Sequence, residues 1–141
     1  MSKRSGFDAT ITVDASFCPH SRCAGYAIWI SYDKGPSRYT GRFKRKPKNS
    51  TQAEKWAILN GLTIAKKLGF KKVSLNSDCK PAMSGNGWCD DEMTVRYRHV
   101  KAHTSNAEPR FYVNRWADKH AKRHMRAWRD HERSVTSPEQ N

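Results

Sequence analysis

Four acids, Asp14, Glu54, Asp78 and Asp118, stand where the patterning of the chain predicts buried or half-buried positions. Asp14 interrupts a strand pattern, Ile11, Thr12, Val13, rich in β-branched residues and alternating in polarity. Alternation sets Asp14 on the face of Thr12 and Ser16, opposite Val13. Asp78 closes a second strand pattern on the face of Ser74 and Asn76. Glu54 is followed at i+4, i+7, i+8 and i+11 by Ile58, Gly61, Leu62 and Ala65, so it heads the buried stripe of a helix rather than its solvent face. Asp118 lies at the edge of the last helix's apolar stripe, three residues before Ala121. A carboxylate in such a place is costly unless a hydrogen-bond network or a cation compensates it. Hard oxygen ligands suit Mg²⁺ or Mn²⁺. Two such ions about 3.5–4 Å apart stabilise both the attacking and the leaving oxygen of a phosphodiester.

Each acid also has a purely structural alternative. Asp14 can end a strand and open a turn. Thr51-x-x-Glu54 matches a capping box, in which Glu54 bonds back to the start of its own helix. Asp78 can be the N-cap of the segment that follows it. Asp118 can form a surface i,i+4 pair with Lys122.

The elements that must position these acids follow from periodicity and turn residues. Strands are expected at 11–16, 26–32 and 38–44, joined by a loop with Pro19 and Gly25 and by the turn Asp33, Lys34, Gly35, Pro36. The short connections favour an antiparallel meander, with the basic third strand at an edge. A helix runs from Thr51 to about Leu68, ended by Gly69, and a fourth strand spans 71–78. Strand, helix and strand at this spacing predict a parallel pair joined by a right-handed crossover. If the first and fourth strands are neighbours, Asp14 and Asp78 lie side by side near the carboxyl ends of parallel strands, where open sheets bind ligands. A short helix within 79–88, a fifth strand at 93–100, a loop with Asn106 and Pro109, and a helix from Val113 to about His131 complete the chain. The class is α/β: a mixed five-stranded sheet, three meander strands and then two parallel strands, flanked by helices. One domain is expected over 1–141, with its core at about 8–132 between a flexible basic lead-in and a polar tail.

Composition narrows the partner. Lys and Arg number 27 against 13 Asp and Glu, a formal net charge of +14, which calls for a polyanion: nucleic acid first, an anionic membrane surface second. No apolar run reaches membrane-spanning length and the N-terminus lacks the apolar segment of a signal peptide, so a cytoplasmic monomer is expected. The four cysteines, Cys18, Cys23, Cys79 and Cys89, are then reduced thiols.

The pieces Val13-Asp14-Ala15-Ser16, Gly25-Tyr26, Gln52-Ala53-Glu54, Asn76-Ser77-Asp78, Val100-Lys101-Ala102-His103 and Asn114-x-x-x-Asp118-x-x-Ala121 resemble type 1 ribonuclease H. They occur in that family's order and span nearly the whole chain. The resemblance implies the ribonuclease H-like fold and cleavage of the RNA strand of an RNA–DNA hybrid with two Mg²⁺ ions, Mn²⁺ being able to substitute. Carried over, Asp14 is the ligand shared by both ions, Glu54 and Asp78 flank one, and Asp118 completes the other. His103 corresponds to a loop histidine that assists proton transfer or product release; its bland alternative is a surface histidine titrating near neutrality.

Three departures from the family bear on substrate contact. Where the family often carries an asparagine before its glutamate, the stretch here is Asn49-Ser50-Thr51-Gln52, and Asn49, Ser50 or Gln52 takes that role. The span from Asp78 to Met93 is too short for a basic protrusion, as in a phage or bacterial member lacking it. Arg42 and Lys44 on the edge strand, with the cations of the final helix, supply phosphate contacts instead. The loop Cys18-Pro-His20-Ser-Arg-Cys23 departs as well; the resemblance implies that this loop touches the hybrid, which marks Ser16 and Phe17 as contacts. Cys18, His20, Cys23 and Cys79 fit no common zinc spacing, and ordinary thiols are expected. Two other readings stay open: another nuclease or a junction resolvase on the same fold, and a non-catalytic hybrid- or RNA-binding module.

Overall fold

The strand that carries Asp14 lies at the centre of the sheet. The structure, a computed structural model, describes residues 6–100 and 109–136. Its elements in chain order are β1 (Ala9–Phe17), β2 (Ala24–Ser31), β3 (Ser37–Arg42), α1 (Ser50–Lys67), β4 (Lys72–Ser77), α2 (Lys80–Ser84), β5 (Thr94–His99) and α3 (Pro109–Thr136). The sheet order is β3-β2-β1-β4-β5. β1 pairs antiparallel with β2, and β2 with β3, while β1–β4 and β4–β5 are parallel. This is the mixed meander-then-parallel sheet expected from the sequence.

Both faces of β1 are covered because its alternate residues suit two different neighbours. Ile11 and Val13 join Ile28, Ile30, Val73 and Leu75 in the main core against Ala57, Ile58, Leu62 and Ala65 of α1. A Cβ on Gly61 would stand 3.1 Å from Val13 Cγ1 and 3.2 Å from Ile11 Cγ2, so the bare glycine lets α1 lie close on β1. The other face, bearing Thr12 and Asp14, is roofed by α3, whose Ala117 and Ala121 pack on Ala27 of β2. Here the contact is tighter still. A Cβ on Gly25 would fall 2.4 Å from the Ala121 carbonyl oxygen and 2.7 Å from the Met125 nitrogen, both backbone atoms of α3.

Among the boundaries that shift from expectation, those of β3 and α3 have identifiable reasons. β3 stops at Arg42 because Phe43 turns inward, buried, with its N–H donating to the Ala24 carbonyl at 3.3 Å; Lys44 therefore lies beyond the strand. α3 is longer at both ends than its apolar period indicates. It begins at Pro109, a residue that reads as a loop signal yet is well suited to a helix's first turn. Its polar final turns are supported by charge pairs such as Arg133 with Asp130 at 3.9 Å.

Gly25→Ala is expected to destabilise the protein by about 1–3 kcal/mol, because the new methyl meets helix backbone rather than a movable side chain. Denaturant unfolding measures this. Unchanged stability would mean that α3 does not sit as closely on β2 as these distances require.

Candidate active site and metal centre

β1 and β4 run parallel with Thr12 opposite Asn76, and two residues farther along each strand stand Asp14 and Asp78. The shared register explains why two acids far apart in sequence meet at the carboxyl ends of adjacent strands. Glu54 arrives from the second turn of α1 on the other layer. One carboxylate oxygen from each of Asp14, Glu54 and Asp78 lies within 4.8 Å of the others, the only group of three or more metal-ligating side chains among the described residues. Asp14 is only 9 % exposed, and its Oδ1 accepts the Ala15 N–H at 2.9 Å.

The structural alternatives for Glu54 and Asp78 are not the ones adopted. The N-cap of α1 is Asn49, whose Oδ1 accepts the Gln52 N–H at 2.8 Å, while Gln52 Oε1 accepts the Lys48 N–H at 2.7 Å. The cap thus forms two residues ahead of Thr51 and takes no part of Glu54. Glu54 Oε1 is buried without a hydrogen-bond partner. The N-cap residue of α2 is Cys79, with no side-chain cap bond, so Asp78 does not cap that helix. Backbone contacts brace Asp78 instead: Val100 N–H donates to the Ser77 carbonyl at 2.9 Å, and His99 Nε2 lies 3.2 Å from the Asp78 carbonyl oxygen.

Asp118 stands apart from the three. Its carboxylate pairs with Lys122 at 3.1 Å, the i,i+4 contact available to it on its own helix. Its charge nevertheless reaches Asp14, whose pKa is raised by burial first and then by the charges of Asp78 and Asp118. Glu54 is raised as well, by burial first and then by Asp14 and Asp78. Both carboxyls are thus held above the ordinary carboxylate range by burial and by neighbouring negative charge. An orphaned buried oxygen, hard oxygen donors only, and like charges held close are what a divalent cation satisfies.

His103 lies outside the described residues. Asn49, Ser50 and Gln52 gather at the amino end of α1, on the helix that carries Glu54; the side-chain oxygens of Asn49 and Gln52 are occupied by the cap, which leaves their amide N–H groups as donors. Ser16 and Phe17 are half-buried at the end of β1 beside Gly25 and Ala24. Arg42 and Lys44 are exposed, with the Arg42 guanidinium 4.7 Å from the Trp128 ring. Cys18, His20, Cys23 and Cys79 do not gather into a metal-ligating group: Cys23 Sγ donates to Glu132 at 3.4 Å, and hydrogen bonding to Ser21 lowers the Cys18 thiol to about 7. One group at the site was not singled out from the sequence. His99 could have been found by pairing the ends of two parallel strands. Asn76, of the Asn76-Ser77-Asp78 piece, has its Oδ1 buried without a partner.

The raised carboxylates make a signed prediction for the metal-free protein. The native state holds these protons more tightly than the unfolded chain, where carboxylates titrate near about 4. Their contribution to stability therefore falls as pH rises from that range through the raised native values. Asp14→Asn should flatten this dependence and, near neutral pH, leave metal-free stability equal or higher. Denaturant melts in chelator at several pH values measure the difference between the two proteins. A variant that loses stability across the whole range would instead mark Asp14 as a stabilising hydrogen-bond partner.

Comparison with known proteins places this geometry. The family model described as reverse transcriptase-like matches residues 12–108, more than half of the chain. No curated protein matches the chain in sequence. Among solved structures, prototype foamy virus protease-reverse transcriptase superposes with a TM-score of 0.61 at 16% identity over 89% of this chain. This chain spans only 22% of that one. Ribonuclease H1 of the halophilic archaeon Halobacterium salinarum gives 0.62 at 15% identity, covering 84% of this chain and 98% of its own. LC11-RNase H1, solved in complex with an RNA/DNA hybrid, gives 0.61 at 14% identity over 84% of this chain and 97% of its own. At these identities the structural likeness establishes the fold, and the family model goes further: the chain belongs to the reverse transcriptase-like family, within the ribonuclease H-like superfamily.

Proposed function

We propose that this protein is a metal-dependent endonuclease that hydrolyses the RNA strand of RNA–DNA hybrids. The observation that carries this reading is the convergence of Asp14, Glu54 and Asp78 at the ends of parallel strands, with Glu54 Oε1 buried and unpartnered, in a chain of net charge +14. The choice of a hybrid as substrate is supported by likeness to the hybrid-bound LC11-RNase H1 and by the motif order.

Asp14, Glu54 and Asp78 would hold one divalent cation, and Asp14 with Asp118 a second, with Mg²⁺ the expected ion and Mn²⁺ able to replace it. Such cations supply water activation and stabilise charge on the leaving oxygen. The protein's own groups do the rest. The charge that Asp78 and Asp118 place on Asp14 would be offset by a cation held there. Asp118, paired with Lys122, would have to release it to hold a cation. The amide N–H groups of Asn49 and Gln52, with the Ser50 hydroxyl, are set at the amino end of α1 to meet ribose and base edges. Ser16 and Phe17 approach the groove, and Arg42 and Lys44 hold phosphates. His103 moves a proton or assists product release.

Asp14→Asn is expected to abolish Mg²⁺-dependent cleavage of a hybrid and to leave hybrid binding largely intact, since affinity comes from Lys and Arg elsewhere. Cleavage at the parent rate would end the metal-ion reading. His103→Ala is expected to lower turnover by roughly 10²-fold or less, the scale of a general acid–base contribution, with little change in affinity. Hybrid affinity should also fall steeply between low and moderate salt as phosphate contacts release counterions. A flat salt response would remove nucleic acid as the partner of the cationic surface.

A further inference from the structure

α3 carries a second pattern that the acidic site does not use. Tyr112, Trp116, His120, His124 and Trp128 recur every four residues, a row of five rings along one flank of the helix. Successive helical residues are about 100° apart, and the buried row of α3 is Ala117, Ala121 and Met125. The ring row precedes that buried row by one residue at each step, and Asp118 follows it by one. Rings and Asp118 therefore occupy opposite flanks of the helix: Asp118 faces the acids, and the rings face β2 and the edge strand β3.

Contacts across that seam confirm the placement. Trp29 of β2 meets Tyr112 edge-on at 5.9 Å and Trp116 at 5.2 Å, and Trp116 stands 4.8 Å from His120. Arg38 of β3 lies over Trp29 at 5.5 Å, and Thr40 meets His124 at 2.9 Å. The inner edges of these rings pack on the sheet, but the surface is not closed: Tyr112 is 51 % exposed and Arg38 is exposed. His120 is held below its ordinary value by burial and then by the charges of Arg123, Lys119 and Arg38, which sets three cations around one ring. Among the described residues no carboxylate pairs with any of the three.

A helix that only needed to cover the sheet edge would be served by aliphatic side chains. Open rings interleaved with uncompensated cations are suited to a ligand that offers π-faces and regularly spaced negative charge together. The row rises about 24 Å from Tyr112 to Trp128, which accommodates several nucleotides of an extended strand. We propose that the seam between α3 and β3 binds a single-stranded nucleic acid segment, bases stacking on Tyr112 and Trp116 and phosphates resting on Arg38, Lys119 and Arg123. This site lies on the flank of α3 away from the acids, and it does not depend on the cleavage reading.

The test is binding in chelator, with no metal, of a labelled oligothymidylate of about ten nucleotides and of an abasic strand of the same length. The wild type should bind the base-bearing strand more tightly. Tyr112→Ala should weaken it by roughly 5- to 100-fold, the range for losing one base–aromatic stack, and Tyr112→Phe should restore it. The abasic strand should be indifferent to Tyr112→Ala but weakened by Arg38→Ala. Tyr112 is exposed enough that both variants keep the fold, which a thermal melt verifies. Equal affinity for the two strands, or no effect of Tyr112→Ala on the base-bearing strand, overturns the proposal, and is the result expected if the seam serves a protein or a second copy of the chain. Cleavage of a blunt hybrid by Tyr112→Ala, measured alongside, should equal that of the wild type, so a failure of stacking and a failure of the nuclease reading are separable.

Discussion

Mutual repulsion among buried carboxylates is the constraint to which the rest of this fold answers. Two unit charges 4.8 Å apart repel by about 3 kcal/mol at the effective dielectric of partly buried protein sites. Asp14, Glu54 and Asp78 present three such pairs, and burial adds to the cost. Without metal, burial and these charges hold both Glu54 and Asp14 above the ordinary carboxylate range. The helix backbone that carries Glu54 is fixed, because Ile58, Gly61, Leu62 and Ala65 anchor the following turns of α1 in the core. Asp14 cannot leave either: it belongs to the central strand, hydrogen-bonded to β2 on one side and β4 on the other.

Two glycines set how closely the helices press on that strand. Gly61 brings α1 down on Ile11 and Val13, and with it Glu54. Gly25 admits the backbone of α3, and with it Asp118. The two helices differ in what they deliver. Glu54 reaches the aspartates directly, whereas Asp118 is held back by Lys122 and acts on Asp14 only through its field. In the metal-free molecule the site is therefore three acids with a fourth in reserve, and the exchange of Lys122 for a cation is the step that would complete it.

Most of this was legible in the chain. Alternation around Asp14 and Asp78 and the stripe below Glu54 fixed which faces the acids occupy, because a half-buried strand and a packed helix each impose a period. The strand–helix–strand spacing carried a parallel crossover, while the adjacency of β1 and β4 that brings the two aspartates together entered only as a condition, which the sheet order meets. What escaped was chemistry that leaves the period untouched. Thr51-x-x-Glu54 reads as the cap, yet Asn49 is the residue that caps α1. Pro109 reads as a loop and opens a helix. The loop from Cys18 to Cys23 closes through a backbone bond, Cys18 N–H to the Cys23 carbonyl at 2.9 Å, while Cys23 Sγ is directed to Glu132.

α3 shows how one helix can satisfy demands that would otherwise conflict. Its contact row is made of alanines, so the helix sits low on the sheet and its two flanks come within reach of different strands. One flank then brings a carboxylate toward β1, in a region already too negative. The other brings rings and cations to β3, where among the described residues no carboxylate pairs with Arg38, Lys119 or Arg123. Both are unfavourable alone: the first for like charges, the second for uncompensated cations. Packing on Gly25 and Ala27 carries the helix through both, and each flank is left needing a ligand of opposite sign. A cation on one side and a polyanion on the other would stabilise the same helix position. Occupancy of either flank should therefore favour the low-lying α3 that the other requires, without any contact between the two ligands.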